Sequence, residues 1–458
     1  MRNKIYLAIV LVFTVVSYYG CSGSKTSSTP SSDATITGMR FAAQDSFPGL
    51  NEAVFSVINK YQGDTGLIYN KDSILYGTPI DSVVPIFTYS STPYSLVFHI
   101  ATDIVDTFFT FSSATAINFN LQPIYVTVTA QDMTTQKTYK IAPVVHKADP
   151  DLFIWSCLNS GLASENINRQ NVFYIDNTFF YLGTDGQSSV VYQSNDASVW
   201  SKTDIALSAD ISRYVASDNT IFRLDNQTIS ASKDMAVWTP FGKPLPENYF
   251  FETPLFFFDD RVWTIVSRHD DNGLLVDYRL AGVSDSVTKI SDTAVPHNFP
   301  VEGFAPVVFK SATDRKRAML IGGYSVSGDM LDARWNFETS ASGYSVVNFS
   351  DDSSNPFDAI AGAAAVYYDG QIYLFGGIGA DNKIFDNQIL VSDDEGMNWE
   401  VADTVHNILP DTFESRYNMT AITTDSGAIY LFGGRNKTSL FSDVYRGVLN
   451  SVAWKIKD

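Results

Sequence analysis

Three short segments place a carboxylate between a serine and a tryptophan at similar spacing. Segments 194–200 and 232–238 share the pattern Ser-x-Asp-x-x-x-Trp, and segment 392–399 is one residue longer and contains a glycine. Carboxylates suit a hard metal ion, but serine and aspartate side chains also accept hydrogen bonds from the backbone amides of a hairpin turn. We interpret the three segments as hairpin turns, because they are expected to face the outer edge of their sheets.

Glycine pairs follow three of the apolar runs, at Gly322–Gly323, Gly376–Gly377 and Gly433–Gly434. Such pairs can cradle a phosphate when a helix begins directly after them and points its amide groups at the anion. Each pair here leads into another strand-like segment, so no helix is expected at that point. The pairs therefore predict sharp breaks between strands, which glycine allows because it tolerates backbone angles that other residues avoid.

Other residue types that often act in catalysis are few and dispersed. Cys157 lies in the apolar segment LFIWSCL and is predicted to be a small buried side chain. Isolated histidines are usually ordinary polar residues, and the chain has five: His99, His146, His269, His297 and His406. The sequence thus predicts no catalytic residue set, no metal site and no cofactor.

The candidates for ligand contact lie in the loops that follow the second strands of the repeated units. Arg268, Tyr324 and Arg435 belong to these loops. Arginine and tyrosine are favoured anchors of binding sites, although surface loops also carry solvated residues that contact no ligand. We treat the three as candidate residues of a ligand-binding face and assign them no catalytic role.

These loops belong to a four-stranded unit that is clearest at Ala363–Trp399. An apolar run ends there at Asp369–Gly370, a pair that favours a type I′ hairpin because both central residues need a positive φ. Aromatic and β-branched residues then form the second strand. A sheet of this kind has two apolar faces and two open edges, and stacking several sheets around an axis covers them.

The aspartate of this turn recurs along the chain at spacings of 42, 41, 55, 55 and 56 residues, which indicates six copies over residues 150–458. The six positions are Asp176, Asp218, Asp259, Asp314, Asp369 and Asp425. Repeats of this length are typical of β-propellers. We predict an all-β protein with a six-bladed propeller, and a seventh blade within residues 267–313 is the alternative. Residues near 152–158 are expected to lie beside the final strands and close the ring.

Residues 34–148 show short alternating strands without a helical period. Val126 and Tyr139 mark two strands whose apolar residues alternate with polar ones, joined by a polar turn. Segment 49–58 is also predicted to form a strand. A domain of this size built from short strands fits an immunoglobulin-like β-sandwich without a disulfide, and its expected role is that of a spacer.

The first residues resemble a bacterial lipoprotein signal. Arg2 and Lys4 precede an apolar run that is too short to span a bilayer, and a small residue stands directly before Cys21. In proteins with this signal, the cysteine is lipidated and becomes the first residue. Residues 1–20 are therefore predicted to be a signal peptide, Cys21 the lipidation site and residues 21–33 a flexible tether. A plain signal peptide that is cleaved nearby is the alternative.

The chain carries 31 basic and 50 acidic residues, which gives a net charge of −19. A surface of this sign repels nucleic acid and anionic lipid headgroups, so we expect no nucleic-acid partner. Contact with a membrane is expected only through the N-terminal lipid. If Cys21 is lipidated, Cys157 has no intramolecular partner, and no disulfide framework is expected.

Two repeated motifs are similar to those of known propeller families. Segments Leu320–Gly323, Leu374–Gly377 and Leu431–Gly434 resemble kelch repeats, and segment 392–399 resembles the Asp-box of sialidase-like propellers. Arg416 resembles the basic residue that is common where a kelch unit begins. The order of lipoprotein signal, immunoglobulin-like domain and kelch-like propeller resembles an envelope lipoprotein family of Bacteroidota with no assigned function.

This resemblance implies a lipid-anchored protein of the cell envelope, with the outer membrane as its expected location. The favoured function is non-catalytic binding of a protein or glycan partner through one face of the propeller. Two alternatives stay open: a sialidase-like or other glycan-cleaving enzyme, and a purely structural envelope component. Segment 222–225 matches the sialidase signature only superficially, since the proline is absent and the segment lies in the second unit. A copper site of the galactose-oxidase type is rejected, because the histidines are scattered.

Overall fold

The structure is a computed structural model that describes residues 29–44, 46–161, 167–207, 210–311, 313–340, 343–351, 357–385 and 388–455. Strands make up 51% and helices 3% of the residues that the structure describes, which confirms the all-β prediction. The predicted signal peptide and the predicted lipidation site Cys21 lie outside the described residues. Within the described ranges, no helix has both the length and the apolar character needed to cross a membrane. The chain divides between Ala148 and Asp149 into two compact units.

The first unit contains one short helix and eight strands in its described residues. The prediction of a strand over 49–58 is wrong in its first half, because a proline at the first helical turn starts a helix there and the strand begins only at Phe55. The elements are α1 (Pro48–Glu52), β1 (Ile36–Phe41), β2 (Phe55–Gln62), β3 (Thr65–Asn70), β4 (Pro85–Tyr89), β5 (Ser95–Ala101), β6 (Asp106–Thr110), β7 (Ile124–Thr129) and β8 (Gln136–Ala142).

Two sheets of the first unit enclose one apolar core. One sheet pairs β1 with β4, and the other has the order β2-β3-β8-β7-β5-β6, with β3 and β8 parallel. Val126 on β7 and Tyr139 on β8 are both fully buried, as the alternating pattern predicted. The Tyr139 hydroxyl accepts a hydrogen bond of 3.0 Å from the backbone N–H of Ile36 and so links the two sheets.

The second unit contains all the remaining strands of the described residues. They are β9 (Phe153–Asn159), β10 (Arg169–Ile175), β11 (Thr178–Thr184), β12 (Ser189–Ser194), β13 (Ser201–Lys202), β14 (Tyr214–Ala216), β15 (Ile221–Leu224), β16 (Ile229–Ser232), β17 (Thr239–Phe241), β18 (Tyr249–Phe258), β19 (Arg261–His269), β20 (Leu275–Val283), β21 (Thr288–Ala294), β22 (Ala305–Lys310), β23 (Lys316–Ile321), β24 (Arg334–Ser340), β25 (Gly343–Asn348), β26 (Ile360–Ala361), β27 (Ala364–Tyr368), β28 (Gln371–Phe375), β29 (Ile378–Gly379), β30 (Ile389–Ser392), β31 (Glu400–Val401), β32 (Thr420–Thr424), β33 (Ala428–Arg435) and β34 (Leu440–Leu449). Helix α2 (Asn450–Lys455) follows the last strand, and two 3₁₀ turns lie at Ile211–Arg213 and Phe349–Asp351.

These strands form six antiparallel sheets of four strands in the described part of the chain. In chain order the sheets are β10-β11-β12-β13, β14-β15-β16-β17, β18-β19-β20-β21, β22-β23-β24-β25, β27-β28-β30-β31 and β32-β33-β34-β9. We number them first to sixth. Strands β26 and β29 form a separate two-stranded sheet. Region 267–313, considered for a seventh blade, contributes β20 and β21 to the third sheet and β22 to the fourth.

The sixth sheet joins the two ends of the second unit. Its outer strand is β9, which pairs antiparallel with β34, so that Phe153 lies opposite Leu449. Residues near 152–158 were expected to lie beside the final strands, and they do. The innermost strands β10, β14, β18, β22, β27 and β32 contact one another in this order, and β32 contacts β10. The six sheets therefore form a closed ring.

Each pair of neighbouring sheets in the ring shares an apolar core. The second strand of the first sheet shows how one strand serves two cores. Phe179 and Tyr181 on β11 face a cluster shared with the sixth sheet, whereas Phe180 and Leu182 face a cluster shared with the second sheet. Successive side chains of a strand point to opposite faces, so a strand that is apolar at every position is buried on both.

Tight hairpins connect the first and second strands of the sheets. Asp369 and Gly370 have φ angles of 45° and 87°, which confirms the predicted turn with two positive φ values. Asp176–Asn177 and Asp259–Asp260 repeat these positive angles in the first and third sheets. Aspartate and asparagine enter this backbone region more readily than most residues, which explains the recurrence of aspartate at the turn.

Candidate functional site

The ring has two sides that differ in their connections. Consecutive strands of each sheet are antiparallel, so the first-to-second and third-to-fourth hairpins share one side, which we call the hairpin side. The second-to-third loops and the segments that lead into each sheet share the opposite side, which we call the loop side. The hairpin of the first sheet meets that of the second, because Asp176 N donates to Asp218 O at 3.2 Å.

Each glycine pair on the loop side docks against the next sheet. Gly323 N donates to Ile360 O at 2.7 Å, and Ile360 lies in the segment that leads into the fifth sheet. A Cβ atom on Gly376 would overlap the carbonyl oxygen of Arg416, which leads into the sixth sheet. Positive φ angles occur at all six glycines: Gly322, Gly323, Gly376, Gly377, Gly433 and Gly434. The glycine pairs are thus joints between neighbouring sheets, and the predicted breaks are confirmed.

Tyr324 and Arg435 hold equivalent backbone positions in the fourth and sixth sheets. Tyr324 N donates to Glu302 O at 2.7 Å, and Arg435 N donates to Tyr417 O at 2.8 Å. In both cases the partner lies in the segment that leads into the same sheet, so the residue after each glycine pair is fixed on the loop side. The Tyr324 side chain is half-buried and the Arg435 side chain is exposed. The sequence pattern predicts loops at both residues, whereas the structure places Arg435 at the last position of β33.

Arg268 lies within strand β19 and not in the loop that the sequence suggested. The strand continues to His269 because its last residues still pair with β20. The Arg268 guanidinium donates three hydrogen bonds to the Asp277 carboxylate, at 3.0, 3.2 and 2.7 Å. Arg279 donates two more to the same carboxylate, at 3.0 and 3.1 Å. Hydrogen bonds from the two arginines hold the pKa of Asp277 well below its usual range. This ion cluster fixes Arg268 across the strands of the third sheet.

The structure does not bring the three candidate residues into one cluster. Among the described contacts, no hydrogen bond, ion pair or ring contact joins Arg268, Tyr324 and Arg435 to one another. A backbone ladder instead links the segments that lead into the fourth, fifth and sixth sheets. Gly362 N donates to Gly303 O and Asn418 N donates to Gly362 O, both at 2.7 Å. This half of the ring therefore shares a hydrogen-bonded frame on the loop side.

Arg416 is a buried structural residue. Its side chain is 1% exposed and forms an ion pair with Asp443, with one Nη1–Oδ1 distance of 2.5 Å. Nη1 also donates to the carbonyl of Gly433 at 3.0 Å. The guanidinium lies 4.2 Å from the ring centroid of Phe413 and 3.9 Å from that of Phe441. The basic residue that the sequence singled out therefore stabilises the sixth sheet from within.

The serine–aspartate segments are hairpin turns with one common geometry. Asp196 Oδ1 accepts the backbone N–H groups of Ser198 and Val199 at 2.8 and 3.0 Å, and Trp200 Nε1 donates to Ala197 O at 2.9 Å. The backbone bonds, led by that from Val199, lower the pKa of Asp196 to about 2. The equivalent bonds recur in segments 232–238 and 392–399. These carboxylates complete turns, and each turn lies at the edge of a different sheet.

The predicted burial of Cys157 is wrong. Cys157 lies on β9, which is an outer strand, and its side chain is exposed even though its sequence neighbours are apolar. An outer strand pairs along one edge only, so an apolar stretch of sequence does not ensure burial there. Across the described ranges, no group of three His, Cys, Asp or Glu side chains is close enough to hold a metal ion.

A concave surface lies on the hairpin side, between the second and third sheets. It is a groove of about 770 Å³ with Phe222, Phe241 and Phe257 in its floor. The rings of Phe222 and Phe257 stack in parallel with centroids 5.0 Å apart. Four carboxylates surround the floor: Asp218, Asp234, Asp260 and Asp285. We call the three phenylalanines and four aspartates the hairpin-side groove.

No pattern in the sequence predicts this groove, because its residues belong to different sheets. Asp218 and Asp234 can be recognised in the sequence, but only as turn residues of the second repeat. Asp260 and Asp285 come from two hairpins of the third sheet. Only the packing of the two sheets brings the four carboxylates around one floor. The recurrence of hairpin aspartates was therefore the one signal that pointed toward this surface.

Comparisons with known proteins identify two matching regions. Residues 149–457 match a family model described as the DUF6242 beta propeller domain. Residues 33–142 match the N-terminal domain of the same family, described as a domain of unknown function. A comparison with curated proteins finds no match.

Solved structures also match the chain. One of them is described as "Structure of YjhT" and has 12% sequence identity and a TM-score of 0.43. The match covers 63% of this chain and 96% of that one.

Proposed function

We propose that this chain, which belongs to the DUF6242 family, is a non-catalytic binding protein whose β-propeller domain recognises a protein or glycan partner. One observation carries the proposal. Tyr324 and Arg435 occupy equivalent, hydrogen-bonded positions on the loop side, but they present different side chains and lead into different loops. A rigid frame that carries variable loops is the usual arrangement for ligand recognition. Arg268 is proposed as a third residue of this face, and its ion pair with Asp277 holds the guanidinium in position.

The propeller is proposed to be six-bladed and of kelch-like type with Asp-box turns. The ring of six four-stranded sheets supports the blade number. The glycine pairs that dock onto the next sheet support the kelch-like assignment. The common geometry of the three serine–aspartate turns supports the Asp-box assignment.

The first unit is proposed to be an immunoglobulin-like spacer. Its two sheets around one core and its content of short strands support this assignment. The proposed boundaries are residues 34–148 for the spacer and 150–458 for the propeller. The division between Ala148 and Asp149 supports them.

The protein is proposed to be anchored in the bacterial envelope, at the outer membrane, by a lipid on Cys21. Residues 1–20 are the proposed signal peptide and residues 21–33 the tether. The test is the substitution Cys21→Ala, which is expected to move the protein from the membrane fraction to the soluble fraction. Unchanged membrane retention of this variant would refute lipidation at Cys21.

The binding proposal is tested by capture of envelope proteins and surface polysaccharides on the immobilised Cys21→Ala chain. Tyr324→Ala and Arg435→Ala are each expected to weaken retention of the captured partner about tenfold or more, as for central anchors of an interface. Arg315→Ala is the matched control, because Arg315 is an exposed arginine on the hairpin side. Equal retention by all variants would contradict the proposal. Release of shortened glycans would favour a glycan-cleaving enzyme instead, and a lack of any partner would favour a structural role.

A further inference from the structure

The hairpin-side groove combines an apolar floor with an acidic rim. Phe222 is 3% exposed and forms the deepest part of the floor, beside the half-buried rings of Phe241 and Phe257. The volume of about 770 Å³ is within the range of sites that enclose a small ligand or a short stretch of peptide. The floor therefore suits an apolar group that enters from the hairpin side.

Val237 extends this apolar surface to the rim. It lies in the turn between β16 and β17, and 66% of its surface is exposed. The turn holds it in place, since Val237 N donates to the Asp234 carboxylate at 2.9 Å. The side chain is thus an exposed aliphatic group at a fixed position beside the phenylalanines.

The rim carries an excess of negative charge that the protein does not neutralise. All four aspartates of the groove are exposed. The residues that line the groove include one cation, Lys233. None of the four carboxylates forms an ion pair within the part of the chain that the structure describes. The formal charge of this lining is −3, from four aspartates and one lysine. A cation placed there would gain attraction without displacing an existing partner.

A second groove on the hairpin side also has four carboxylates and one cation in its lining, but its cation is paired with two of the carboxylates. This groove, of about 540 Å³, lies between the fourth and fifth sheets. Arg317 stands within it and forms ion pairs with Glu338, at 3.2 Å, and with Glu395. The acidic groups nearest to Arg317 therefore already have a cationic partner. Asp393 and Asp394 also line the second groove, and no ion pair of either is described. The hairpin-side groove between the second and third sheets differs in that none of its four carboxylates has a described ion pair.

We propose that the hairpin-side groove binds a cationic protein segment, in which an aliphatic or aromatic side chain is flanked by lysine or arginine. The apolar side chain would lie on Phe222, Phe241 and Phe257, and the flanking cations would pair with the aspartates of the rim. The net charge of −19 adds long-range attraction for a partner of this sign. This site is distinct from the loop-side face and does not depend on its function.

The first test measures binding of short labelled peptides to the full chain by fluorescence anisotropy. The probe is the peptide Lys-Leu-Lys-Leu-Lys. The comparison peptides are Glu-Leu-Glu-Leu-Glu, which reverses the charge, and Lys-Ser-Lys-Ser-Lys, which removes the apolar groups. We expect the first peptide to bind at least about tenfold more tightly than either comparison, and its affinity to fall as salt screens the rim. Equal binding of the serine peptide would overturn the proposal, because the floor would then have no role.

The second test uses a matched pair of variants. Val237→Lys places a cation at the rim and is expected to weaken binding of the Lys-Leu peptide about tenfold or more, by repulsion and by loss of apolar surface. Val199→Lys changes the same position of the equivalent turn in the first sheet, where the valine is 71% exposed. This control is expected to bind the peptide within twofold of the unchanged chain. If both variants weakened peptide binding equally, the peptide would be attracted to the acidic surface as a whole. That result would overturn the proposed site.

The double variant Asp260→Asn and Asp285→Asn separates the contribution of the acidic rim to peptide binding from that of the apolar floor. Both residues are exposed turn residues, and asparagine accepts the positive φ of 58° that Asp260 adopts. We expect weaker binding at low salt and a shallower salt dependence than in the unchanged chain. An unaltered salt dependence would contradict the assignment of these carboxylates to the site. Near-ultraviolet circular dichroism verifies that each variant is folded.

Discussion

At the scale of single residues, Gly376 shows why a glycine is needed at the end of the second strand. Its φ of 59° disfavours any side chain, and the carbonyl of Arg416 from the next sheet occupies the place where a Cβ would lie. Gly370 provides a comparison within the same sheet. Its φ is 87°, but nothing lies within 4 Å of the position of its Cβ. A comparison of the two positions therefore separates the free-energy cost of a side chain at a positive φ from the added cost of a steric clash with the next sheet.

This difference predicts the effect of two alanine substitutions. Gly370→Ala is expected to lower the free energy of unfolding by about 1–2 kcal/mol, the cost of a left-handed angle. Gly376→Ala is expected to cost about 1–3 kcal/mol more, because the next sheet must also move. Urea unfolding followed by circular dichroism measures both values. Equal losses would show that Gly376 is not a packing joint.

Arg416 is the second residue whose role becomes clear only from its surroundings. Arg416→Met is expected to lower the free energy of unfolding by about 3–5 kcal/mol, because it leaves the Asp443 carboxylate, which is only 13% exposed, without its partner. Arg435→Met is the control, since Arg435 is exposed, and its expected cost is below about 1 kcal/mol. Urea unfolding of the two variants tests the prediction. A small loss for Arg416→Met would mean that Asp443 finds another partner or water.

At the scale of elements, the closing strand β9 is held by the segment between the fifth and sixth sheets. Phe153 N donates to His406 O at 2.9 Å. His406 Nε2 lies 3.0 Å from the Asp149 carboxylate, and Nδ1 contacts the carboxylate of Asp403. The hydrogen bond with Asp403, together with the charge of Asp149, raises the pKa of His406 above its usual value of 6.5. The protonated imidazole thus links the closing strand to this segment.

The raised pKa of His406 determines whether the stability of the folded state rises or falls with pH. A group whose pKa is higher in the folded state stabilises that state fully below its unfolded pKa, and this stabilisation disappears as the pH rises through the folded pKa. We expect the melting temperature of the unchanged chain to exceed that of His406→Gln at pH 6, and the difference to shrink toward pH 9. His297→Gln is the control, because His297 is exposed and no ion pair of it is described. A constant difference between pH 6 and pH 9 would contradict the role of protonation.

At the scale of the whole molecule, the two units have separate apolar cores. Ile124 belongs to the core of the first unit and Ile372 to a core between the fourth and fifth sheets. Both side chains are fully buried. Since the clusters share no residue, the stability of each unit is expected to depend on its own core.

Matched substitutions test this independence by calorimetry. Ile124→Val and Ile372→Val each remove one buried methyl group and are expected to cost about 0.5–1.5 kcal/mol. Each variant should lower the temperature of one of two thermal transitions and leave the other unchanged. A single transition that shifts in both variants would show that the units unfold together.

The sequence determined the all-β class, the repeated unit and the position of the closing strand. Period-two patterns, hairpin aspartates and glycine pairs are local signals, and each arises from a backbone requirement that a few adjacent residues satisfy. The turn at Asp369–Gly370 could be predicted for this reason. The family match to a β-propeller domain agrees with the prediction from the repeats. Local signals also led to errors, since the apolar surroundings of Cys157 gave no indication that β9 is an outer strand.

Only the tertiary structure decided which side chains are available to a ligand. The sequence places Arg268 among the candidate ligand-facing loops, but its ion pair with Asp277 holds it across the third sheet. Arg416 resembles the basic residue at the start of a kelch unit, and only the structure shows that it is buried and paired with Asp443. The hairpin-side groove arises because two neighbouring sheets bring their turns together around Phe222. Contacts of this kind join residues that lie far apart in the chain, and no spacing within one repeat encodes them. The repeated motifs therefore specify how each sheet is built, whereas the packing of sheets around the ring specifies the surfaces that can bind.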